Sequence, residues 1–331
     1  VDPVWALRQI AFRLERAGAP TYRVRAFRRA AEVVQLLPAG ELESRLAGGT
    51  LKELPGIGPA TAEAIAQAAA GQQPDYLTRL LGEAAAPDRT VLRSALRGDC
   101  HTHSNWSDGG APPREMAEAA RDLGHEWIAL TDHSPRLTVA GGLSASRLRA
   151  QLELVTALNG ELAPFRLLTG IEVDILEDGR LDQREDLLSR LDVVVASVHS
   201  KLRMPAAAMT ARMVAAIRNP NVDVLGHCTG RLITGRGRPE SAFDPEAVFT
   251  ACRDSNVAVE INCRPERQDP PDRLLRLAIE AGCRFAINTD AHAPGQLDWL
   301  DNGCTRAERT GIQPHQVINT RSADDLSSMR K

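Results

Sequence analysis

No stretch of this chain approaches the roughly 18 apolar residues that a membrane-spanning helix requires, so no transmembrane segment and no membrane partner are expected. The opening residues, VDPVWALRQIAFRLERAG, are amphipathic and hold no apolar signal core, which leads to the expectation of a cytoplasmic location. The first residue is not Met, so a processed or trimmed start is expected. Lysine is nearly missing. Only Lys52, Lys201 and Lys331 occur, and almost all positive charge is arginine. None of the six cysteines (Cys100, Cys228, Cys252, Cys263, Cys283, Cys304) forms a C-x-x-C pair, which excludes a zinc ribbon and a thioredoxin-like motif. Scattered in this way, they read as reduced, buried thiols. A net charge of -3 excludes a uniformly basic nucleic-acid coat.

The charge that is present is uneven. Residues 8–29 hold seven arginines against one acid, Glu15. The surrounding residues 1–81 read as all-helical. Apolar residues recur at three- and four-residue steps (Val4, Leu7, Ala11, Leu14; Val24, Phe27, Ala31, Val34), and turns fall at Gly18-Ala19-Pro20, Pro38-Ala39-Gly40 and Gly48-Gly49. Residues 82–96 read as a linker. From Arg97 to residue 331 the pattern changes to short runs of Val, Ile, Leu and Ala alternating with helical stretches. Strands are expected at 97–102, 127–132, 166–174, 192–198, 222–227, 257–262 and 284–289, and helices at 112–123, 144–159, 206–218, 244–255 and 271–281. Seven β-α units in succession predict a barrel with a parallel sheet buried on both faces.

Metal-ligand side chains stand where these strands end. They are His101 and His103, followed by Asp108; His133; Glu172; His199; His227; and Asp290 with His292. In a β/α barrel all C-terminal strand ends open on one face, so residues far apart in sequence become neighbours. His101 and His103 are two apart on an extended segment, which points both imidazoles to one side, and Asp290 with His292 is read the same way. Imidazole with carboxylate suits zinc, manganese or iron. Nine ligands are too many for one ion. They suffice for two or three divalent ions if a carboxylate bridges, and Glu172 is the expected bridge. Asp132 and Asp174 are expected to orient ligating imidazoles. His125 and His315 are read as ordinary polar residues.

The segments HTHSNWSDG, ALTDHS, TGIEVDILEDGRLD, VVASVHSK, LGHCTGR, VEINCRP and INTDAH resemble, in order, those of the PHP (polymerase and histidinol phosphatase) superfamily. The resemblance covers residues 97–331. It implies a distorted seven-stranded (β/α) barrel with a three-metal cluster. One ion would take His101, His103, Glu172 and Asp290, a second Glu172, His199 and His227, and a third Asp108, His133 and His292.

The segments TYRVRAFRRAAEVV and LKELPGIGPATAEAIA resemble the small all-α helix-hairpin-helix domain of X-family DNA polymerases. In Leu54-Pro55-Gly56-Ile57-Gly58-Pro59 the glycines let backbone N–H groups approach a phosphate at the start of a helix over 60–70. Such contacts are indifferent to base sequence. Gly56, Gly58, Arg23, Arg25, Arg28 and Arg29 are therefore the candidate DNA contacts. Bacterial X-family polymerases place palm and fingers between these two modules. Here about fifteen residues separate them, so polymerase activity is not expected. Related lyase domains use a lysine where this chain has Ala64, so Schiff-base chemistry is not expected either.

The expected activity is metal-dependent hydrolysis of phosphate esters at a DNA end or damaged site, as a 3′ phosphodiesterase or exonuclease, a 3′-phosphatase or an abasic-site endonuclease. Bound ions would lower the pKa of water toward neutrality for attack on phosphorus. Catalysis is assigned to His101, His103, Glu172, His199, Asp290 and Arg231. Arg231, Arg264 and Arg267 are the candidate phosphate clamps, with Lys201 as a point charge. Two other readings compete: a small-molecule phosphatase acting on histidinol phosphate or nucleotides, and a DNA-binding scaffold with a degenerate barrel. The helical domain counts against the first and the complete ligand set against the second.

Overall fold

The computed structural model describes residues 1–83 and 90–328. The chain divides into two compact units, Val1–Asp88 and Arg89–Lys331.

In the first unit, α1 (Pro3–Arg16) begins at Asp2, whose side chain accepts the Trp5 N–H at 2.6 Å, with Pro3 in the first turn. It is followed by α2 (Thr21–Gln35), α3 (Glu41–Ala47), α4 (Pro59–Ala69) and α5 (Asp75–Glu83). Leu7, Ile10 and Leu14 from α1 meet Phe27 and Val34 from α2, Ile57 from the hairpin, Ile65 from α4 and Leu77 from α5 in one apolar cluster.

The second unit begins earlier than the sequence pattern suggests. Residues 84–89 of the expected linker lie outside the described residues, but α6 (Val91–Ala95) is ordered. Thr90 caps it by accepting the Arg93 N–H, Leu92 is fully buried in the barrel's core, and Glu308 accepts the Leu92 N–H at 2.6 Å. Tertiary burial makes this short helix, which has too few residues to show a period.

Seven parallel strands follow: β1 (Gly98–Thr102), β2 (Trp127–Leu130), β3 (Arg166–Asp174), β4 (Val193–Ser197), β5 (Val224–Leu225), β6 (Ala258–Asn262) and β7 (Phe285–Asn288), paired in sequence order. The connecting helices are α7 (Pro113–Asp122), α8 (Ala145–Leu162), α9 (Glu185–Leu188), α10 (Ala206–Ile217), α11 (Pro245–Asp254) and α12 (Asp272–Glu280). After β7 come α13 (Leu300–Thr310) and α14 (Ala323–Ser328). Cys100, Ala129, Leu168, Val195, Val224, Ala258 and Ala286 form an apolar plug that Ile318 and Leu326 join. On the other face of the strands, Val173, Val194, Leu225, Ile261 and Ile287 pack against the helices.

The barrel closes between β1 and β7 mostly through side chains. Asn319 donates to the carbonyls of Gly98 and Ile287, Asn288 accepts the Cys100 N–H, and one backbone bridge joins Thr102 to Ala291. All six cysteines are free and buried. Among the described residues no helix is long and apolar enough to cross a membrane.

Candidate metal centre

Glu172, near the end of β3, is the hub of the barrel mouth. Its Oε2 lies 2.8 Å from His133 Nδ1, 3.4 Å from His101 Nε2 and 3.6 Å from His103 Nε2. Its Oε1 lies 3.0 Å from His227 Nε2 and 3.3 Å from His199 Nε2. Asp290 closes one side, with Oδ1 3.3 Å from His103 Nε2 and 3.9 Å from His101 Nε2. Asp108 closes another, with Oδ1 3.3 Å from His292 Nε2 and 3.6 Å from His133 Nε2. All nine residues singled out from the sequence thus converge.

Ligand atoms lie mutually within 4.8 Å in three overlapping sets: His101, His103 and Asp290; His133, Glu172 and His199; and His103, Asp108, His133 and His292. His103 and His133 each belong to two of these sets.

Local backbone explains how these side chains arrive. β1 carries one residue more than β2 between Asp99 and Thr102. Cys100 faces the interior plug, yet His101, next in sequence, also reaches inward to Glu172. The bulge breaks simple alternation. Asp290 is not on an extended strand; it sits past β7 at φ 53, a left-handed conformation that Asp tolerates. A tight loop presents Asp108, and Gly109 is required in it because a Cβ there would fall 2.6 Å from the Ser104 carbonyl carbon.

Several of these buried atoms have no hydrogen bond: His101 Nε2, both nitrogens of His103, His133 Nδ1, Glu172 Oε2 and the Nδ1 atoms of His199 and His227. They are close in distance but not aligned as donor and acceptor pairs. Orphaned polar atoms in a dry interior cost free energy unless something else satisfies them. Imidazole and carboxylate donors facing a common centre fit divalent zinc, manganese or iron. The charge pattern agrees. Burial by itself would raise Glu172 and Asp290, but the surrounding His101, His133 and His199, and for Asp290 the Arg264 guanidinium and His101, hold both carboxyls well below the usual range. Burial lowers His199, but Glu172 and Asp174 outweigh it and push it up to about 9.

One residue escaped the sequence reading. Glu260 on β6 is fully buried and accepts from His101 Nδ1 at 2.7 Å and from the His227 N–H at 2.7 Å. Burial raises its pKa, but His101 and His227 together more than offset this and the net shift is downward, so the carboxylate is the acceptor in both hydrogen bonds. With Nδ1 engaged by Glu260, Nε2 is the ring nitrogen that faces Glu172, 3.4 Å from its Oε2. An acid inside an otherwise apolar buried strand, VEIN, was the available signal.

The other assignments divide. Asp174 does face an imidazole, with Oδ1 3.5 Å from His199 Nδ1. Asp132 does not. It accepts from Ser104 N–H, the Ser104 and Ser107 hydroxyls and Gln151, and so orders the loop that carries Asp108. Arg231 also departs from expectation. Its guanidinium donates to the carbonyls of Arg267 and Gln268 and pairs with Glu240, so it braces the loop after β6 instead of facing an open site. Arg264 pairs with Glu266 at 2.8 Å and donates to the Asp290 carbonyl at 3.0 Å. Arg267 places Nε 3.4 Å from Asp290 Oδ2 while its Nη1 is buried without a partner. Lys201 is exposed. His125 is buried between α7 and β2 and His315 is exposed; neither reaches the mouth.

In the first unit, Gly56 adopts φ 98, and a Cβ there would meet Arg29 Cγ at 2.8 Å. Arg29 thus packs along the hairpin. The Gly58 N–H donates to Thr61 Oγ1 at 2.8 Å and is not free for a phosphate. Arg23, Arg25 and Arg29 are exposed. Arg28 is not a surface charge. It makes a two-pronged ion pair with Glu15 (2.9 and 2.8 Å), with the side chains only 13% and 4% exposed.

A parallel barrel with this ligand set at its mouth defines a metal-dependent phosphoesterase, a hydrolase of phosphate esters. The family described as PHP domain matches residues 99–288 and the helix-hairpin-helix domain matches residues 2–73, and the chain belongs to the PHP domain family. It is 42% identical over 236 residues to the DNA polymerase/3'-5' exonuclease PolX of Bacillus subtilis (strain 168), covering 71% of this chain and 41% of that one. The chain thus spans about two fifths of that relative's length. It is 29% identical over 234 residues to a protein of Thermoanaerobacter sp. (strain X514) named probable phosphatase, covering 67% of this chain and 89% of the other. The barrel fold is shared with the histidinol phosphate phosphatase of Lactococcus lactis subsp. lactis Il1403, solved with zinc, L-histidinol and phosphate. The TM-score is 0.50 at 20% identity, over 66% of this chain and 94% of that one.

Proposed function

We propose that this chain hydrolyses phosphate esters in DNA, at a 3′ end or a damaged site, as a 3′ phosphodiesterase or exonuclease, a 3′-phosphatase or an abasic-site endonuclease. The observation that carries this reading is that eight ligand-type side chains around Glu172 occur in one chain with a helix-hairpin-helix unit exposing Arg23, Arg25 and Arg29. Two or three divalent ions, when bound, would supply Lewis acidity to the phosphoryl group and an activated water. The chain's own residues do the rest. Glu260 holds His101 through a hydrogen bond at Nδ1, and Asp174 places a carboxylate 3.5 Å from His199 Nδ1. Arg267, with a free buried Nη1, is the candidate phosphate donor beside Asp290. Arg264 steadies the Asp290–His292 turn. The resemblance of the two modules to X-family polymerases, joined here without an intervening palm, supports nuclease or phosphatase chemistry without polymerisation.

The test is metal analysis of the purified protein together with turnover of DNA carrying a 3′-phosphate, an abasic site or a free 3′ end. Turnover of one of these, lost in His101→Ala with His103→Ala, is the expected result. Turnover confined to small monoesters would overturn it. The second reading, a small-molecule phosphatase, is supported by the 89% coverage of the probable phosphatase relative by this chain.

A further inference from the structure

The loops around the barrel mouth are not evenly charged. The loops after β4 and β5 (residues 200–204 and 229–240) hold five cations, Lys201, Arg203, Arg231, Arg236 and Arg238, against one acid, Glu240. The neighbouring loop after β3 (residues 175–184) holds Glu177, Asp178 and Asp182 against Arg180 and Arg184.

The two basic loops touch. A Cβ on Gly230 would fall 2.9 Å from Leu202 Cδ2, so the turn of Lys201–Met204, closed by Met204 N–H to the Lys201 carbonyl at 3.0 Å, lies against the segment that follows His227. The β5 loop then forms a small hairpin. Leu232 and Arg238 exchange backbone hydrogen bonds at 3.0 and 2.8 Å, Gly235 and Gly237 turn the chain, and Ile233 N–H donates to the Glu266 carbonyl at 2.7 Å. Arg231 and Arg238 are committed to holding this hairpin. Lys201, Arg203 and Arg236 are exposed and, among the described residues, make no ion pair or side-chain hydrogen bond. Ile233, 48% exposed, shares the hairpin with Arg236.

We infer that the β4–β5 rim is a docking track for the sugar–phosphate backbone of a single nucleic-acid strand, leading to the ligand cluster from the side of His199 and His227. The inference rests on the proposed DNA-directed hydrolysis and deepens it by placing a strand-binding surface on the barrel itself. Lys201 follows His199 by two residues, so its Cα lies no more than about 7 Å from that of His199. It links the track to the site. Unpaired cations near a phosphate-hydrolysing mouth attract a polyanion, whereas both arginines of the β3 loop are paired, Arg180 with Asp178 and Arg184 with Asp186, so the attraction falls on the β4–β5 side. Ile233 gives an unstacked base an apolar surface, which a free phosphate or a small monoester has no use for.

The test compares the holoenzyme with the Arg203→Ala/Arg236→Ala variant on two substrates, a labelled single-stranded oligonucleotide across a salt series and p-nitrophenyl phosphate. The expected result is unchanged monoester turnover. For the oligonucleotide, KM rises and the slope of log(kcat/KM) against log salt falls by about 1.4, at about 0.7 per phosphate contact removed. Unchanged slope and KM on the oligonucleotide overturn the track while leaving DNA hydrolysis standing, and are the outcome if the patch serves a protein instead. A wild-type enzyme that turns over only the monoester overturns the proposed function and the track together. If the double variant loses monoester turnover as well, Arg236→Glu at the exposed hairpin decides by the same readout.

Discussion

Replacing Glu260 by glutamine changes one oxygen into an NH2 group inside a socket of four donors. Oε1 receives His101 Nδ1 at 2.7 Å and Asn288 Nδ2 at 3.0 Å; Oε2 receives the His227 N–H at 2.7 Å and Asn262 Nδ2 at 3.1 Å. An NH2 group at the Oε2 position would oppose a backbone N–H that cannot reverse. At the Oε1 position it opposes His101 Nδ1, which can give up its proton and accept. Asn288 cannot follow, because its own Oδ1 already accepts from Cys100 N–H and Asn319. The cheaper placement therefore leaves one buried donor unpaired, costing about 1–3 kcal/mol, and moves the proton of His101 to Nε2. That atom is the one facing Glu172 and Asp290, and a protonated Nε2 cannot bind a cation. The expected outcome for Glu260→Gln is a loss of metal affinity of about 10- to 100-fold, measured by competition with a chelator and by metal content. It should come with a shift of the His101 tautomer in nitrogen-15 spectra. A variant that is destabilised in urea but binds metal like the wild type would refute the reasoning and leave Glu260 a purely structural acceptor.

Arg28→Ala should destabilise the first unit by about 3–5 kcal/mol, because it removes the two-pronged ion pair of the buried Glu15 carboxylate, whereas Arg23→Ala should change stability by no more than about 0.5 kcal/mol and weaken DNA binding. Urea denaturation with oligonucleotide binding separates the two, and a fully stable Arg28→Ala would contradict the pairing. Arg267→Ala should lower kcat/KM on phosphate esters by about 10- to 100-fold, the worth of one charged hydrogen bond. Arg231→Ala should act on folding stability with kcat nearly kept, and the reverse ranking would restore Arg231 as the clamp. Stripping metal with a chelator should lower the barrel's melting temperature by about 5–10 °C, the effect of removing a ligand held near 100 times its dissociation constant from a unit of this size. Calorimetry showing an unchanged transition after verified metal loss would mean the orphaned imidazoles are satisfied without ions.

The sequence alone carried the alternation of strand and helix, because a parallel sheet buried on both faces writes itself as short apolar runs between amphipathic stretches. It also carried the nine ligand-type residues, because polar groups at successive strand ends stand out against those runs. What it could not carry were features that depend on partners distant in sequence. Glu260 looked like one acid in a strand until β6 came beside His101. Asp132 and Arg231 looked as suited to the site as Asp174 and Arg267, and only the packing of the loops sent their polar atoms to Ser104 and Ser107 or to the Arg267 and Gln268 carbonyls. Arg28 matched its exposed neighbours in type, but the crossing of α1 and α2 buried it against Glu15. The bulge in β1 and the left-handed turn at Asp290 decided which way His101 and Asp290 point, and side-chain direction after such irregularities is set by the closing of the barrel, not by local periodicity.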